Sequence, residues 1–221
     1  MEIINDNEKI NRLMEDFNCQ AIKVCLIGLN NIGKTSFLDR ILYKDSFKNF
    51  KESIKGNIST TGVKYHGILV KYKGKLFKLE LWDTAGQLRY FALTKIFYKG
   101  AQVILYFYDP FKKESFDYIK KSFQDVKVSN SQYLCKYIII KNKCDLNETK
   151  DKNIMISDEE VIEYADKNNL SFRSLSNLEK YGSGIEEIIE DCINGYLNKN
   201  NKKNNNLIIN TYWFCQYLNL I

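Results

Sequence analysis

Apolar positions fall along this chain in two rhythms. Residues 21–27, 102–108 (QVILYFY) and 137–140 (YIII) are apolar nearly throughout, as expected of strands buried on both faces. Between them apolar residues recur at helical spacing: Phe37, Leu38, Ile41 and Leu42 within 36–43, and Phe116, Ile119, Phe123 and Val126 within 114–128. Residues 88–98 and 185–197 read as further helices. Ser157-Asp158-Glu159-Glu160 fits a capping box that opens a helix running to Lys167. Residues 62–72 and 75–82 are strand-like runs joined by Lys73-Gly74, a hairpin signal, with Leu76, Leu79 and Leu81 marking the core side only loosely. Residues 170–173 add a short strand. The alternation predicts an α/β fold: a mostly parallel six-stranded sheet with one antiparallel edge strand from the hairpin, and helices on both faces.

The remaining stretches are polar or ambiguous. Residues 1–20 carry Ile3, Ile4, Ile10, Leu13, Met14 and Phe17 between charges, which suits either a short amphipathic helix or a frayed leader. Residues 44–59 hold Lys48, Lys51, Glu52, Lys55 and Gly56 and read as a long loop. Residues 198–206 (NKNNKKNNN) form a low-complexity linker, and 207–221 an apolar, aromatic tail. The organisation is an N-terminal extension over 1–20, one domain over 21–197, the linker and the tail.

Composition narrows the classes. With 44% hydrophobic and 27% charged residues the chain is that of a globular protein, and no apolar run is long enough for a transmembrane helix. Met1-Glu2-Ile3-Ile4-Asn5 lacks a signal pattern, and Glu2 stands where N-myristoylation requires glycine. A cytoplasmic location is expected. The six cysteines include no C-x-x-C pair and read as thiols filling the core, not as a metal site. A net charge of +6 is compatible with acidic membrane surfaces, but no basic stripe interleaved with aromatics points to nucleic acid.

Chemistry enters with Gly28-Leu29-Asn30-Asn31-Ile32-Gly33-Lys34-Thr35, which reads G-x-x-x-x-G-K-[ST] between a strand and a helix. Gly28 and Gly33 let backbone approach phosphate, and the helix start adds N–H donors. The candidate phosphate set is Gly28, Asn30, Asn31, Ile32, Gly33, Lys34, Thr35 and Ser36. Lys34 would reach the β/γ-phosphates and Thr35 would hold Mg²⁺. A glycine turn ahead of a helix is the plainer explanation, and the match with its flanks argues against it. After the hairpin comes Asp83-Thr84-Ala85-Gly86-Gln87: Asp83 can hold Mg²⁺ through water, Gly86 can offer an N–H to a γ-phosphate, and Gln87 can orient an attacking water. Asn142-Lys143-Cys144-Asp145 follows the YIII strand. A carboxylate there accepts two hydrogen bonds from the amide edge of guanine, which adenine lacks.

GLNNIGKT, WDTAGQ and NKCD in this order resemble the Ras-type small GTPases. TGVKY (61–65), KLELW (78–82), RYFALT (89–94), FYKGA (97–101) and FYD (107–109) resemble the Rab branch in particular. The resemblance covers about residues 21–197 and implies a small G domain. It also implies that Thr60 binds Mg²⁺ and γ-phosphate in the GTP state, that Phe47 stacks on guanine, and that Ser176 and Asn177 lie at the base. Tyr65, Trp82 and Phe97 match an aromatic triad read by effectors, although such residues are as often plain core. Effectors, exchange factors and GTPase-activating proteins are expected at residues 44–65 and 86–98 of a monomer.

Several positions depart from the family. Twenty-five positions separate Thr35 from Thr60, more than is usual, with the extra residues in 48–57. Asn30 and Asn31 replace small residues, and Asn30 would stand in the way of an arginine finger. Leu88 replaces an acid, and Ser176-Asn177-Leu178 replaces S-A-K. No C-a-a-X motif follows Cys215, so prenylation is not expected; the apolar tail would pack back on the domain, meet a partner or sit in a membrane interface. The resemblance implies a GTP-hydrolysing switch in vesicle trafficking, cytoplasmic or peripheral to endomembranes. The alternative is a guanine-nucleotide scaffold with little turnover.

Overall fold

The computed structural model describes residues 1–4, 19–42, 62–86, 96–148, 155–177 and 184–198. Its strands are β1 (Glu2–Ile4), β2 (Gln20–Ile27), β3 (Val63–Tyr72), β4 (Lys75–Thr84), β5 (Val103–Tyr108), β6 (Lys136–Lys141) and β7 (Ser171–Ser174). Helices α1 (Lys34–Leu42), α2 (Lys113–Ser129), α3 (Asp158–Asn168) and α4 (185–198) run between or after them. One sheet holds all seven strands in the order β1-β3-β4-β2-β5-β6-β7.

The expected six-stranded, mostly parallel sheet is there: β4, β2, β5, β6 and β7 pair in parallel, and β3 joins β4 antiparallel. A seventh strand extends it. Glu2–Ile4, in the stretch that suggested a helix or a frayed leader, pairs antiparallel with β3 at Leu69, Val70 and Lys71. The hairpin strand β3 is therefore flanked along these residues instead of being the edge. Ile3 packs against the main core, which explains why so short a strand holds.

The continuous apolar strands are explained by two cores. Val24, Leu26, Leu105, Phe107, Ile138 and Ile140 face α1 and α4, meeting Phe37, Ile41, Ile188 and Ile189. The alternate residues Cys25, Ile27, Ile104, Tyr106, Tyr108 and Ile139 face α2 and α3, meeting Phe116, Phe123, Val126 and Val161. A strand covered on both faces has no polar side to alternate with. In β4 the core face is Phe77, Leu79 and Leu81; Leu76 falls on the other face, which is why leucines alone gave a loose signal. Lys73 and Gly74 both take positive φ, 49° and 75°, as a two-residue hairpin turn requires.

The box at α3 is half made. Ser157 accepts from the Glu160 N–H at 3.2 Å, but Glu160 does not return the bond to the Ser157 backbone; its carboxylate pairs with Lys120 on α2 at 2.8 Å. Ser157→Ala is expected to cost about 1 kcal/mol of stability, read from a urea denaturation midpoint with unchanged slope. Three of the five described cysteines, Cys25, Cys135 and Cys192, are buried as core fillers while Cys19 and Cys144 are half-buried; none of the five forms a disulfide, and burial pushes the Cys25 thiol up to about 12. No described helix is long and apolar enough to cross a membrane.

Candidate nucleotide site

The parallel strands deliver their C-terminal ends, and the loops after them, to one end of the sheet, where ligands of open α/β sheets bind. Gly28 leaves β2 so close to β5 that a Cβ would run into the Phe107 carbonyl. Asn31 (φ 59°) and Gly33 (φ 98°) then turn the loop into α1, and Asn is among the few residues that accept this geometry. Lys34 opens α1. Its Nζ donates to the Gly28 and Leu29 carbonyls, each at 2.9 Å, which arches the loop around the ammonium. Lys34 is 5% exposed, and burial lowers it to about 8 while Asp83 opposes the shift. Ile32 is buried, Asn30 is exposed, and Ser36 is half-buried in the first helical turn.

Thr35 Oγ1 donates to Asp83 Oδ2 at 2.6 Å across the gap between α1 and β4. Asp83 is fully buried; burial raises its pKa, opposed by the Thr35 hydrogen bond and the Lys34 charge. Its Oδ1 is buried, with no partner among the described residues. A hydroxyl beside a carboxylate with an unsatisfied oxygen is a donor set that fits a hard divalent cation. Thr84 Oγ1 donates to the Leu26 carbonyl at 2.7 Å and fixes the end of β4 to β2. Gly86 follows, so close to the Leu29–Asn30 peptide that any side chain would collide with it.

The loops after β6 and β7 are tied to the same structure. Asn142 Nδ2 donates to the Ile32 carbonyl at 2.6 Å, and its own N–H is held by Tyr108 O at 2.9 Å. Lys143, at φ 60°, sends Nζ to Asn31 O and to Asp109 Oδ2, both at 2.9 Å. Asp145 sits in the short turn Cys144–Glu148 and accepts from Ser176 Oγ at 2.6 Å. Asn177 Nδ2 donates to Gly33 O at 3.3 Å. Ser176, Asn177 and Asn142 are buried.

Every described residue of the candidate set is thus gathered at one end of the sheet; Phe47, Thr60 and Gln87 lie outside the described residues. Sequence reasoning missed one partner. Asp109 gained no role although it is the buried counter-ion of Lys143; an Asp ending a wholly apolar strand was the available signal. Asn177, already in the candidate set, engages the loop through its side chain. Tyr65, Trp82 and Phe97 do form one aromatic row, with ring centroids 5.1 and 5.8 Å apart and Tyr65 exposed at its outer end.

Comparison with known proteins agrees with this geometry. A sequence model described as the Ras family matches residues 23–198. The Ras-related protein Rab-1 of Theileria parva is 33% identical over 180 residues, 79% of this chain and 76% of that protein. Rab-8 of Diplobatis ommata is 32% identical over 183 residues, 83% and 80% of the two chains. Rab-10 of Caenorhabditis elegans is 34% identical over 154 residues, 70% and 71%. With the family model matched over residues 23–198 and these relatives, the chain belongs to the Ras family of small GTPases, in its Rab-like branch.

Proposed function

We propose that this protein is a GTP/GDP-regulated switch of vesicle trafficking that hydrolyses GTP slowly and works in the cytoplasm, peripheral to endomembranes. The observation that carries the reading is the direct bonding of Asn142 and Lys143 to the Ile32 and Asn31 carbonyls. It couples recognition of the base to the shape of the phosphate cradle. Lys34 meets the β/γ-phosphates, with N–H groups of residues 30–36 around them. Asp145 accepts from the guanine edge, with Ser176 orienting its carboxylate. Thr35 and Asp83, joined by Thr60, would hold Mg²⁺, which neutralises charge on the transferred phosphoryl group.

Hydrolysis of this kind is positioning and electrostatics. Gln87 orients the water, Gly86 offers its N–H to the γ-phosphate, and Lys34 stabilises the developing charge. Intrinsic turnover is on the order of 10⁻⁴ s⁻¹ in this class, so a GTPase-activating protein is implied. Residues 44–65 and 86–98 are the surface for it, for exchange factors and for effectors, with the Tyr65–Trp82–Phe97 row at its described centre. Asn30 and the long 48–57 segment favour the second reading, a scaffold that binds and barely turns over. Single-turnover conversion of bound GTP decides between them. Gln87→Leu is expected to keep GTP affinity within twofold and to slow hydrolysis at least tenfold. Equal rates in the two proteins would remove Gln87 from the mechanism, and no conversion in the parent chain would establish the scaffold.

A further inference from the structure

Two neighbouring side chains after β7 reach opposite halves of the nucleotide site. Ser176 Oγ donates to Asp145 Oδ1 at 2.6 Å. Asn177 Nδ2 donates to the Gly33 carbonyl at 3.3 Å and lies 3.5 Å from Asn142 Oδ1. The main chain that carries them is anchored: the Leu175 N–H donates to the Lys141 carbonyl at 2.7 Å, and the Leu175 carbonyl accepts from the Cys144 N–H at 3.2 Å.

The Gly33 carbonyl is where α1 begins, and it also accepts from the Phe37 N–H at 3.0 Å. Asn177 is its second donor. Because a peptide unit is planar, fixing the Gly33 carbonyl fixes the direction of the Lys34 N–H, a donor at the helix start where phosphate binds. The approach is close. A Cβ on Gly33 would run into Asn142 Nδ2 and stand 3.4 Å from Asn177 Nδ2. Asn142 makes the neighbouring tie, to the Ile32 carbonyl at 2.6 Å, so the two carboxamides hold consecutive peptide units of the loop.

Asn177 is 8% exposed, and its Oδ1 is buried with no partner among the described residues. Burying an acceptor in this way costs stability. Alanine, which the S-A-K pattern has at this position, avoids that cost but offers no donor to Gly33. A buried group kept at a cost and bonded to the phosphate loop marks a functional constraint.

On the guanine-nucleotide reading above, we propose that Asn177 is a positioning residue that sets how long nucleotide stays bound. Its side-chain N–H braces the Gly33–Lys34 peptide against the loop that holds Asp145. Base and phosphates are then released together, because one short stretch, Ser176-Asn177, ties the groups that meet them.

The test loads the full chain with fluorescently labelled GDP and chases it with excess GDP. Asn177→Ala is expected to release the label about five- to tenfold faster, the worth of one hydrogen bond, with association within about twofold. Asn177→Asp keeps the shape and loses the donor. Ionised, it is expected to release at least as fast as N177A. As pH falls toward about 5.5 its carboxyl gains an O–H for the Gly33 carbonyl, and its excess over the parent shrinks. A space-filling role would leave N177D like the parent at every pH. Both variants are expected to prefer GDP over xanthosine diphosphate, since Asp145 still meets the base. N177A release within twofold of the parent, an N177D excess that does not change with pH, or a lost guanine preference in N177A would overturn the proposal. A parent chain that retains no GDP removes the guanine-nucleotide reading and the brace together; a parent that retains it beside an unchanged N177A removes the brace alone.

Discussion

Lys34→Met is expected to lower GDP and GTP affinity about a thousandfold while leaving the nucleotide-free protein at least as stable as the parent. Both effects have one cause. The Lys34 ammonium is buried, and its only described hydrogen-bond partners are the Gly28 and Leu29 carbonyls. Burial lowers its pKa from 10.5 to about 8, so in the empty protein the charge is held at a cost. Because the unfolded chain binds this proton more tightly, the penalty is fully present below pH 8 and fades as pH rises toward 10.5. Methionine keeps the stem in its place and removes the penalty. A bound polyphosphate reverses the balance, since a desolvated cation–anion pair loses about 2–5 kcal/mol when one partner is deleted, or roughly thirty- to several-thousandfold. Affinity is read by displacement of a fluorescent guanine nucleotide, and stability by thermal unfolding after nucleotide removal. A variant that binds GDP within tenfold of the parent would mean that the helix N-terminus and loop N–H groups carry the phosphates without the lysine.

The shape of the loop after β2 was legible because its residues are consecutive. The phosphate loop occupies eight neighbouring positions, and the geometry found at Gly28, Asn31 and Gly33 is what glycine and asparagine are suited to supply. The buried strands β2, β5 and β6 were equally legible, since a strand covered on both faces announces itself by composition alone. What escaped depends on partners far away in sequence. Three residues at Glu2–Ile4 carry no periodicity, and only the edge of β3 makes them a strand. The capping box at Ser157 was correct as local chemistry, yet Lys120 on another helix took the Glu160 carboxylate. Asp109 and Lys143 are thirty-four positions apart, and although an Asp ending an apolar strand marks one partner, nothing near it names the other. Leu76 and Phe77 show the same limit at one-residue scale, because hydrophobicity alone does not decide which face of an amphipathic strand is inward.

Asp145→Asn is expected to weaken GDP binding at least a hundredfold and to make the xanthine nucleotide the preferred ligand. Donors and acceptors at the base edge decide this. Guanine presents N1–H and an exocyclic amine side by side, two donors that need two acceptors. The Asp145 carboxylate has about four lone-pair directions, of which the Ser176 hydroxyl takes one, on Oδ1 at 2.6 Å. That bond fixes the carboxylate's orientation and leaves capacity for both guanine donors. An asparagine held by the same Ser176 bond keeps its oxygen there and turns an NH₂ toward the base. Two donors then face each other at the exocyclic amine, and a buried mismatch of that kind is severe. Xanthine carries an oxygen at that carbon and keeps N1–H, so it restores both pairings without any other change. The phosphate half of the site, tied to Asn142 and Lys143 by independent bonds to Ile32 and Asn31, is untouched. Competition of guanosine, xanthosine and adenosine diphosphates against one labelled nucleotide reads all three preferences at once. A variant that loses every nucleotide equally would show that Asp145 supports the loop and does not read the base. One that keeps its guanine preference would place the reader elsewhere, with Asn177 the nearest candidate.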